Sequence, residues 1–389
     1  MKSKIILKKE KEKSLIRRHP WVFSGAIDTF GDNFENGDLC SVYSQDKILL
    51  GHGYFNKNCS LCGRMISFKD DDPYLTIEKN IENAIFLRKR FFSDNTTNAY
   101  RLINSEGDLL PGLIVDYYDN YLVLQINSLG MEKLKAFVVK ILLKNLPNLK
   151  GIYEKSISSV RKKEGLEDSS SLLFGSLPKE MIVLENSHKF IFDPINGQKT
   201  AFFLDQRNMR KFLGSICENK KVLNCFSYHN GFGVYALKNN AKAVDSVEIS
   251  AKANINGKKN LLINNLKEQN FFEEDVFDFL IRSELDYDII VLDPPAFIKK
   301  QKDLKNGINA YKKLHSLVFQ KALRRTVLIT SSCSYYFDKE LFQKTIFQAA
   351  LENNRNVKIL SHHIDALDHP INIYHPEMDY LKSFVLFIE

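Results

Sequence analysis

The chain has 389 residues and a mass of 44.9 kDa, with 44% hydrophobic residues, 26% charged residues and a net charge of +8. That is ordinary globular composition, too long for a single core, so two or three domains are expected. The charged start lacks the apolar segment of a signal peptide and no apolar run is long enough for a membrane span. The six scattered cysteines then read as reduced thiols of a cytoplasmic protein with no membrane attachment.

Positive charge is clustered. Residues 1–18 hold eight Lys/Arg, Arg17 and Arg18 among them, against Glu10 and Glu12. Residues 299–313 hold Lys299, Lys300, Lys302, Lys305, Lys312 and Lys313 against Asp303 alone. Such clusters suit phosphate contacts, since counterion release drives polyanion binding, and they also occur as plain solvated faces. The expectation is one track made by both clusters.

Along the chain, residues 1–72 mix short apolar runs with Gly and Asn turns, as a small β domain does. Residues 74–92 have helical spacing at Leu75, Ile81, Ile85 and Phe92. A hairpin over 112–127 turns at Asp119-Asn120. A helix over 131–146 puts Leu134, Val138, Ile141 and Leu142 on one side. Ser169–Ser171 reads as loop and 188–194 as strand, so 73–187 is an α+β block. From about Lys220, short apolar strands alternate with helices, the pattern of a parallel sheet covered on both faces. The fold class is α/β with a Rossmann-like third domain, 188–389. Ligands of such sheets sit beyond the carboxyl ends of the strands.

Four segments on that edge carry chemistry. Asn224, Phe226, Ser227, Tyr228 and Gly231 follow the first strand without a G-x-G-x-x-G or P-loop pattern. An Asn/Gly loop of this kind suits a ligand with one carboxylate, such as the methionine end of S-adenosylmethionine. Glu248 ends the next strand, where an acid can accept from both ribose hydroxyls. Asp293-Pro294-Pro295 holds an aspartate rigidly at a strand tip, with Phe297 as a stacking face for a base. Cys333, in Ser332-Cys333-Ser334, supplies a thiol that can add to carbon 6 of a pyrimidine and activate carbon 5. Cys59 and Cys62, with Cys40 and His52, could make four zinc ligands, but the spacing matches no standard finger and no metal is assigned. His19, His362, His363, His369 and His375 read as surface or loop residues.

Six segments in order resemble one family, the bacterial large-subunit ribosomal RNA cytosine-5 methyltransferases with an N-terminal PUA domain. They are Arg18–Phe23, Arg101–Asp108 with Leu110-Pro111-Gly112, Gly197–Thr200 with Phe203–Arg207, Asn224–Tyr228, Asp293–Pro295 and Ser332–Ser334. The resemblance spans nearly the whole chain. It implies a PUA domain (1–72), a middle domain (73–187) and a seven-stranded methyltransferase sheet (188–389). It further implies S-adenosylmethionine near Asn224, Phe226, Tyr228, Glu248, Asp275 and Val276, with Cys333 as nucleophile. Pro294, Phe297, Lys299, Arg17 and Arg18 would meet RNA, and Asp293 would serve base and cofactor. The family's usual Thr-Gly-Gly-Phe is here His229-Asn230-Gly231-Phe232, which puts the cofactor loop in question. Methylation of a guanine nitrogen or exocyclic amine, and RNA binding without catalysis, are the competing readings. The oligomeric state stays open between monomer and homodimer.

Overall fold

The computed structural model describes residues 3–195, 197 and 202–389; Gln198, Lys199 and Thr200 of the third motif lie outside them. The chain divides into two compact units. The first gathers residues 1–183, 193–204 and 367–378, the second 184–192, 205–366 and 379–389. No helix among the described residues is long and apolar enough to cross a membrane.

The first unit contains two sheets. Six strands, Ser3–Leu7, Trp21–Phe23, Ile27–Phe30, Leu39–Tyr43, Leu49–Phe55 and Leu61–Ser67, surround a core of Ile5, Leu7, Val22, Val42, Phe55 and Met65. A five-stranded sheet follows, built from Ala99–Asn104, Leu113–Tyr118, Tyr121–Ile126, Gly151–Ser156 and Ser169–Gly175. Its hairpin turns at Asp119 (φ 45°) and Asn120 (φ 69°), both left-handed as a type I′ turn requires.

Three local expectations need correction. Ser169–Ser171 is not loop: it opens an edge strand paired with Gly151–Ser156. An edge strand with its side chains in water needs no apolar pattern, so composition hid it. In the helix Pro73–Phe91, Leu75 points outward, 66% exposed, and Ile77 joins Ile81, Ala84 and Ile85 on the buried face. The expected helix over 131–146 is two, Leu129–Lys133 and Lys135–Asn145, although Leu134, Val138, Ile141 and Leu142 are all buried.

The Arg101–Asp108 motif braces this unit. Arg88, fully buried, donates to both carboxylate oxygens of Asp108 (2.6 and 2.8 Å) and to the carbonyls of Arg101 and Asp368 (2.9 Å each). A bidentate guanidinium with its remaining protons on carbonyls offsets the cost of burying its charge.

In the second unit, a helix α1 (Arg207–Ile216) precedes alternating elements. These are β1 (Lys221–Cys225), α2 (Gly231–Lys238), β2 (Ala243–Val247), α3 (Ala251–Ile263), β3 (Asn270–Phe272) and α4 (Val276–Arg282). Then come β4 (Ile289–Leu292), α5 (Leu304–Lys321), β5 (Thr326–Ser332), α6 (Lys339–Glu352), β6 (Val357–His362) and β7 (Lys382–Ile388). The seven strands lie in the order β3-β2-β1-β4-β5-β7-β6. The first five are parallel and β7 inserts antiparallel between β5 and β6. The order reverses beside β1, and the tips of β1 and β4 flank this switch point, where ligands of such sheets bind. Leu223, Ile290, Leu292, Leu328 and Leu386 from the strands pack against Leu314, Val318, Phe342 and Ile346 from α5 and α6.

His315 of α5 lies inside this packing, its Nδ1 2.7 Å from Tyr311 O and its Nε2 2.9 Å from Thr330 Oγ1. Burial pushes its pKa down to about 4. An unfolded chain takes up this proton first, near pH 6.5. The stability it contributes is therefore present above pH 6.5 and drains as pH falls to about 4. Replacing His315 by Gln should flatten the pH dependence of unfolding free energy in this window, by up to about 1.4 kcal/mol per pH unit. Urea titrations across the window measure it; an unchanged slope would show that His315 titrates as it does when unfolded.

Candidate active site

The loop after β1 is the most constrained backbone near the edge of the sheet. Phe226, Tyr228 and Asn230 have φ of 59°, 46° and 61°, left-handed values that non-glycine residues seldom adopt. Hydrogen bonds fix it: Ser227 N to Val247 O, Asn230 N to Ser227 O, and Tyr228 N to Glu248 Oε2 at 3.0 Å. Asn224 Oδ1 and Ser227 Oγ are buried without a hydrogen-bond partner, an arrangement expected where a polar ligand completes the site.

The His229-Asn230 departure proves to be supported from within. Asparagine tolerates the left-handed conformation better than most residues. Asn230 Oδ1 accepts from Asn224 Nδ2 (3.1 Å) and Ser246 Oγ (2.9 Å), and its amide donates to Gln269 Oε1 (3.1 Å). A Cβ on Gly233 would lie 2.0 Å from Asn230 Oδ1, so glycine is required there. His229 stacks on Tyr228 with ring centroids 3.7 Å apart, and burial holds its pKa at about 4. It is a neutral wall of the loop.

Glu248 stands at the tip of β2, half-buried, accepting from Tyr228 N and from Ser250 N at 2.9 Å. Both contacts leave lone pairs on its carboxylate for further donors. Asp275 caps α4, accepting from Phe277 N (2.8 Å) and Asp278 N (3.3 Å). Val276 is a core side chain. Gly231 starts α2, close against Arg210.

At the tip of β4, Asp293 Oδ1 accepts from Gln206 Nε2 at 2.8 Å. Pro294 is buried, while Phe297 is half-buried in a ring cluster with Phe226 (6.4 Å), Phe277 (6.1 Å) and Tyr311 (4.8 Å). Part of its surface is thus already used in packing. Cys333 follows β5 and is half-exposed between buried Ser332 and Ser334. Ser332 Oγ donates to Tyr311 OH (2.9 Å), and Ser334 Oγ lies 3.3 Å from the same hydroxyl. Both serine hydroxyls are thereby tied to the interior, and of the three side chains only that of Cys333 reaches solvent.

Other residues stand apart from this edge. Arg17 and Arg18 belong to the first unit and are exposed, Arg18 over the Tyr374 ring at 5.6 Å; Lys299, Lys300, Lys302 and Lys305 are exposed in the second unit. Cys40, His52, Cys59 and Cys62 do not bring donor atoms together as a metal site would, and burial pushes the Cys40 and Cys62 thiols up to about 12 and 11. The reading of His375 as a surface residue is overturned: it is 1% exposed, packed on Trp21 at 4.2 Å with His19 beside it at 5.1 Å. Glu377 lies 3.4 Å from His19 Nε2 and 2.8 Å from His375 Nδ1. The segment 367–378 returns to the first unit, and that return buries the ring.

Sequence reasoning gave no individual role to Gln206, Asn230, Tyr311 or Lys382. Gln206 sat inside a quoted motif; Tyr311 and Lys382 meet the Cys333 loop only through the fold.

Residues 5–68 match the PUA-like domain family, and residues 159–322 match the S-adenosylmethionine-dependent methyltransferase family. The chain is 37% identical to the ribosomal RNA large subunit methyltransferase I of Vibrio vulnificus (strain CMCP6), over 99% of each chain. It is 38% identical to the protein of that name from Tolumonas auensis, again over 99% of each. The chain belongs to the ribosomal RNA large subunit methyltransferase I family. SMU.776, a methyltransferase solved in complex with SAH, superposes with a TM-score of 0.86 at 26% identity, covering 99% of both chains. An S-adenosylmethionine-dependent methyltransferase from Streptococcus mutans does so at 0.83 and 25%, with the same coverage. The enzyme is therefore an S-adenosylmethionine-dependent methyltransferase, with a PUA-like N-terminal domain and the expected mixed α/β architecture.

The donor set of this edge fits that cofactor: a half-buried carboxylate at Glu248 for paired hydroxyls, and buried Asn224 and Ser227 oxygens for an ammonium or hydroxyl. Glu248→Ala should weaken S-adenosylmethionine binding by roughly 1.5–3 kcal/mol, the range for hydrogen bonds to a charged group. Isothermal calorimetry is the check. Affinity within experimental error of the native enzyme would place the ribose elsewhere.

Proposed function

We propose that this enzyme methylates carbon 5 of a cytosine in large-subunit ribosomal RNA, using Cys333 as a covalent nucleophile. One observation carries the reading: Cys333 is the half-exposed member of a strand-tip tripeptide whose two serines are tied inward, beside the tip that holds Asp293. A methyl transfer to nitrogen needs no thiol there. Carbon 5 of cytosine does, being too weak a nucleophile unaided. The names of its relatives and its own PUA-like domain support ribosomal RNA as the substrate.

The proposed site assigns Asn224, Ser227, Tyr228, Gly231 and Glu248 to holding S-adenosylmethionine, with Asp275 and the Val276 backbone near the adenine. The cofactor supplies an electrophilic methyl group on sulfur. The target base leaves its stack to reach the edge of the sheet, and Phe297 offers it the ring surface that packing leaves open. Asp293, steadied by Gln206, accepts from the exocyclic amine of the base. The Cys333 thiolate would add to carbon 6, forming a carbon–sulfur bond and placing electron density on carbon 5; carbon 5 would then take the methyl group as the methyl–sulfonium bond breaks, leaving a neutral thioether. Loss of the carbon-5 proton to a base then restores the ring double bond and expels the thiolate.

The scheme makes a covalent enzyme–RNA adduct obligatory. RNA carrying 5-fluorocytosine should trap it, because fluorine cannot leave as a cation. A denaturing gel is expected to show a shifted band with native enzyme and none with Cys333→Ala. Methylation of ordinary RNA without any adduct, with the new methyl on a ring nitrogen or exocyclic amine, would replace this reading with nitrogen methylation.

The two basic clusters are proposed to contact RNA phosphates, each on its own unit. Replacing Lys299, Lys300, Lys302 and Lys305 with Gln should lower the slope of log affinity against log salt by roughly 0.7 per lost single-strand contact. Filter binding at several salt concentrations measures it; an unaltered slope would make these lysines a solvated face.

A further inference from the structure

Lys382 is a buried cation beside the proposed nucleophile that the mechanism leaves unused. Strand β7 runs antiparallel to β5 and sets Lys382 opposite Ser332, one residue before Cys333. Lys382 is 5% exposed, and its Nζ donates to Ser334 O at 2.8 Å and to Tyr380 O at 2.6 Å. The ammonium thus sits under the loop that carries the thiol, bonded to the carbonyl of the residue after it.

Both acceptors are neutral carbonyls. Burying an ammonium is costly unless an anion answers it, and the cost shows as a pKa lowered to about 8, chiefly by burial. The charged or titratable groups that act on it are Cys333, Asp379 and Asp338; burial raises the pKa of Asp379, and Asp338 caps α6 through Leu341 N. Tyr311 also faces Cys333 across the loop, but burial pushes its hydroxyl up to about 12, so it remains neutral. Of these groups, Cys333 is the one whose ionisation the catalytic scheme requires, and it lies on the loop that the ammonium already grips.

We propose that Lys382 is a positioning residue that clamps the Cys333 loop through Ser334 O and stabilises the Cys333 thiolate. The assignment rests on Cys333 being the nucleophile, yet it concerns the thiol itself and can be read without any RNA. A cation beside a thiol raises the thiolate fraction at neutral pH, and the thiolate is the reactive form. In return, the ionised thiol answers the buried ammonium.

The test is the rate of Cys333 alkylation by iodoacetamide as a function of pH, resolved by peptide mass spectrometry on the full-length enzyme. Native enzyme should show a midpoint below that of an ordinary cysteine, about 8.5. Lys382→Met should move the midpoint up by roughly one pH unit and slow alkylation about tenfold at pH 7, a tenfold loss of thiolate. Lys382→Arg, which keeps the charge, should recover most of the native profile. Equal profiles for native and Lys382→Met would overturn the proposal. So would a native midpoint at or above about 8.5, a result that needs no folded variant. If Lys382 shifts the profile while 5-fluorocytosine RNA traps no adduct, the thiolate assignment stands and the carbon-5 reading falls. If the adduct forms while the profile is indifferent to Lys382, the reverse holds.

Discussion

Three residues in left-handed conformation within five positions set the geometry of the cofactor edge. Each such residue costs on the order of 1 kcal/mol or more and persists only if its surroundings over-determine it. Here the surroundings are a buried amide network. Asn230 joins Asn224 on β1, Ser246 on β2 and Gln269 before β3, so three adjacent strands are tied to one loop residue. The same hydrogen bonds leave Asn224 Oδ1 and Ser227 Oγ buried without partners. Strain and unsatisfied polar atoms coincide at one place, and that coincidence supports the proposed cofactor position independently of the loop's sequence.

A second constraint anchors the elements around it. Glu185, fully buried, accepts both nitrogens of the Arg210 fork at 2.8 and 2.7 Å, and Arg207 lies 3.4 Å away. One carboxylate between two guanidiniums tolerates no lost partner, since the remaining charges would be buried and unanswered. This pins α1, and with it Gln206, which reaches Asp293 at the β4 tip. The aspartate's position therefore depends on a residue far from it in sequence, through an ion pair on a third segment.

The order of strands and helices from Lys220 onward was legible because a parallel sheet covered on both faces requires near-continuous apolar strands. The short strand Asn270–Phe272, helix α4 and edge strand β6 lacked that signature. Val357–His362 pairs on one side only and exposes Ile359 and Leu360, so neither alternation nor a continuous apolar run marks it. Edge strand Ser169–Gly175 escaped notice for the same reason. Strand-tip positions of Asn224, Glu248, Asp293 and Cys333 could be read from sequence, since each directly ends or follows an apolar strand. Their partners could not. Gln206, Tyr311 and Lys382 reach the edge from the N-cap of α1, from α5 and from β7, and contacts over such separations leave no local pattern.

The arrangement around Cys333 leaves one side chain at the strand tip open to solvent while its two neighbours are tied inward. Successive residues of a strand alternate faces, but beyond β5 the chain must turn, and a turning backbone needs its polar groups met. Ser332 and Ser334 meet this need inward: Ser332 Oγ receives Ser334 N at 3.3 Å, and Ser334 Oγ receives Ile298 N from the β4 loop, also at 3.3 Å. The loops after β4 and β5 are thereby joined directly, so Asp293 and Cys333 are held by one hydrogen-bonded unit with Tyr311 at its centre. A cysteine between two such serines has one direction left, outward over the edge. Placing an alanine at Ser332 or Ser334 would loosen that direction without touching the thiol, which separates the reactivity of a cysteine from its aim.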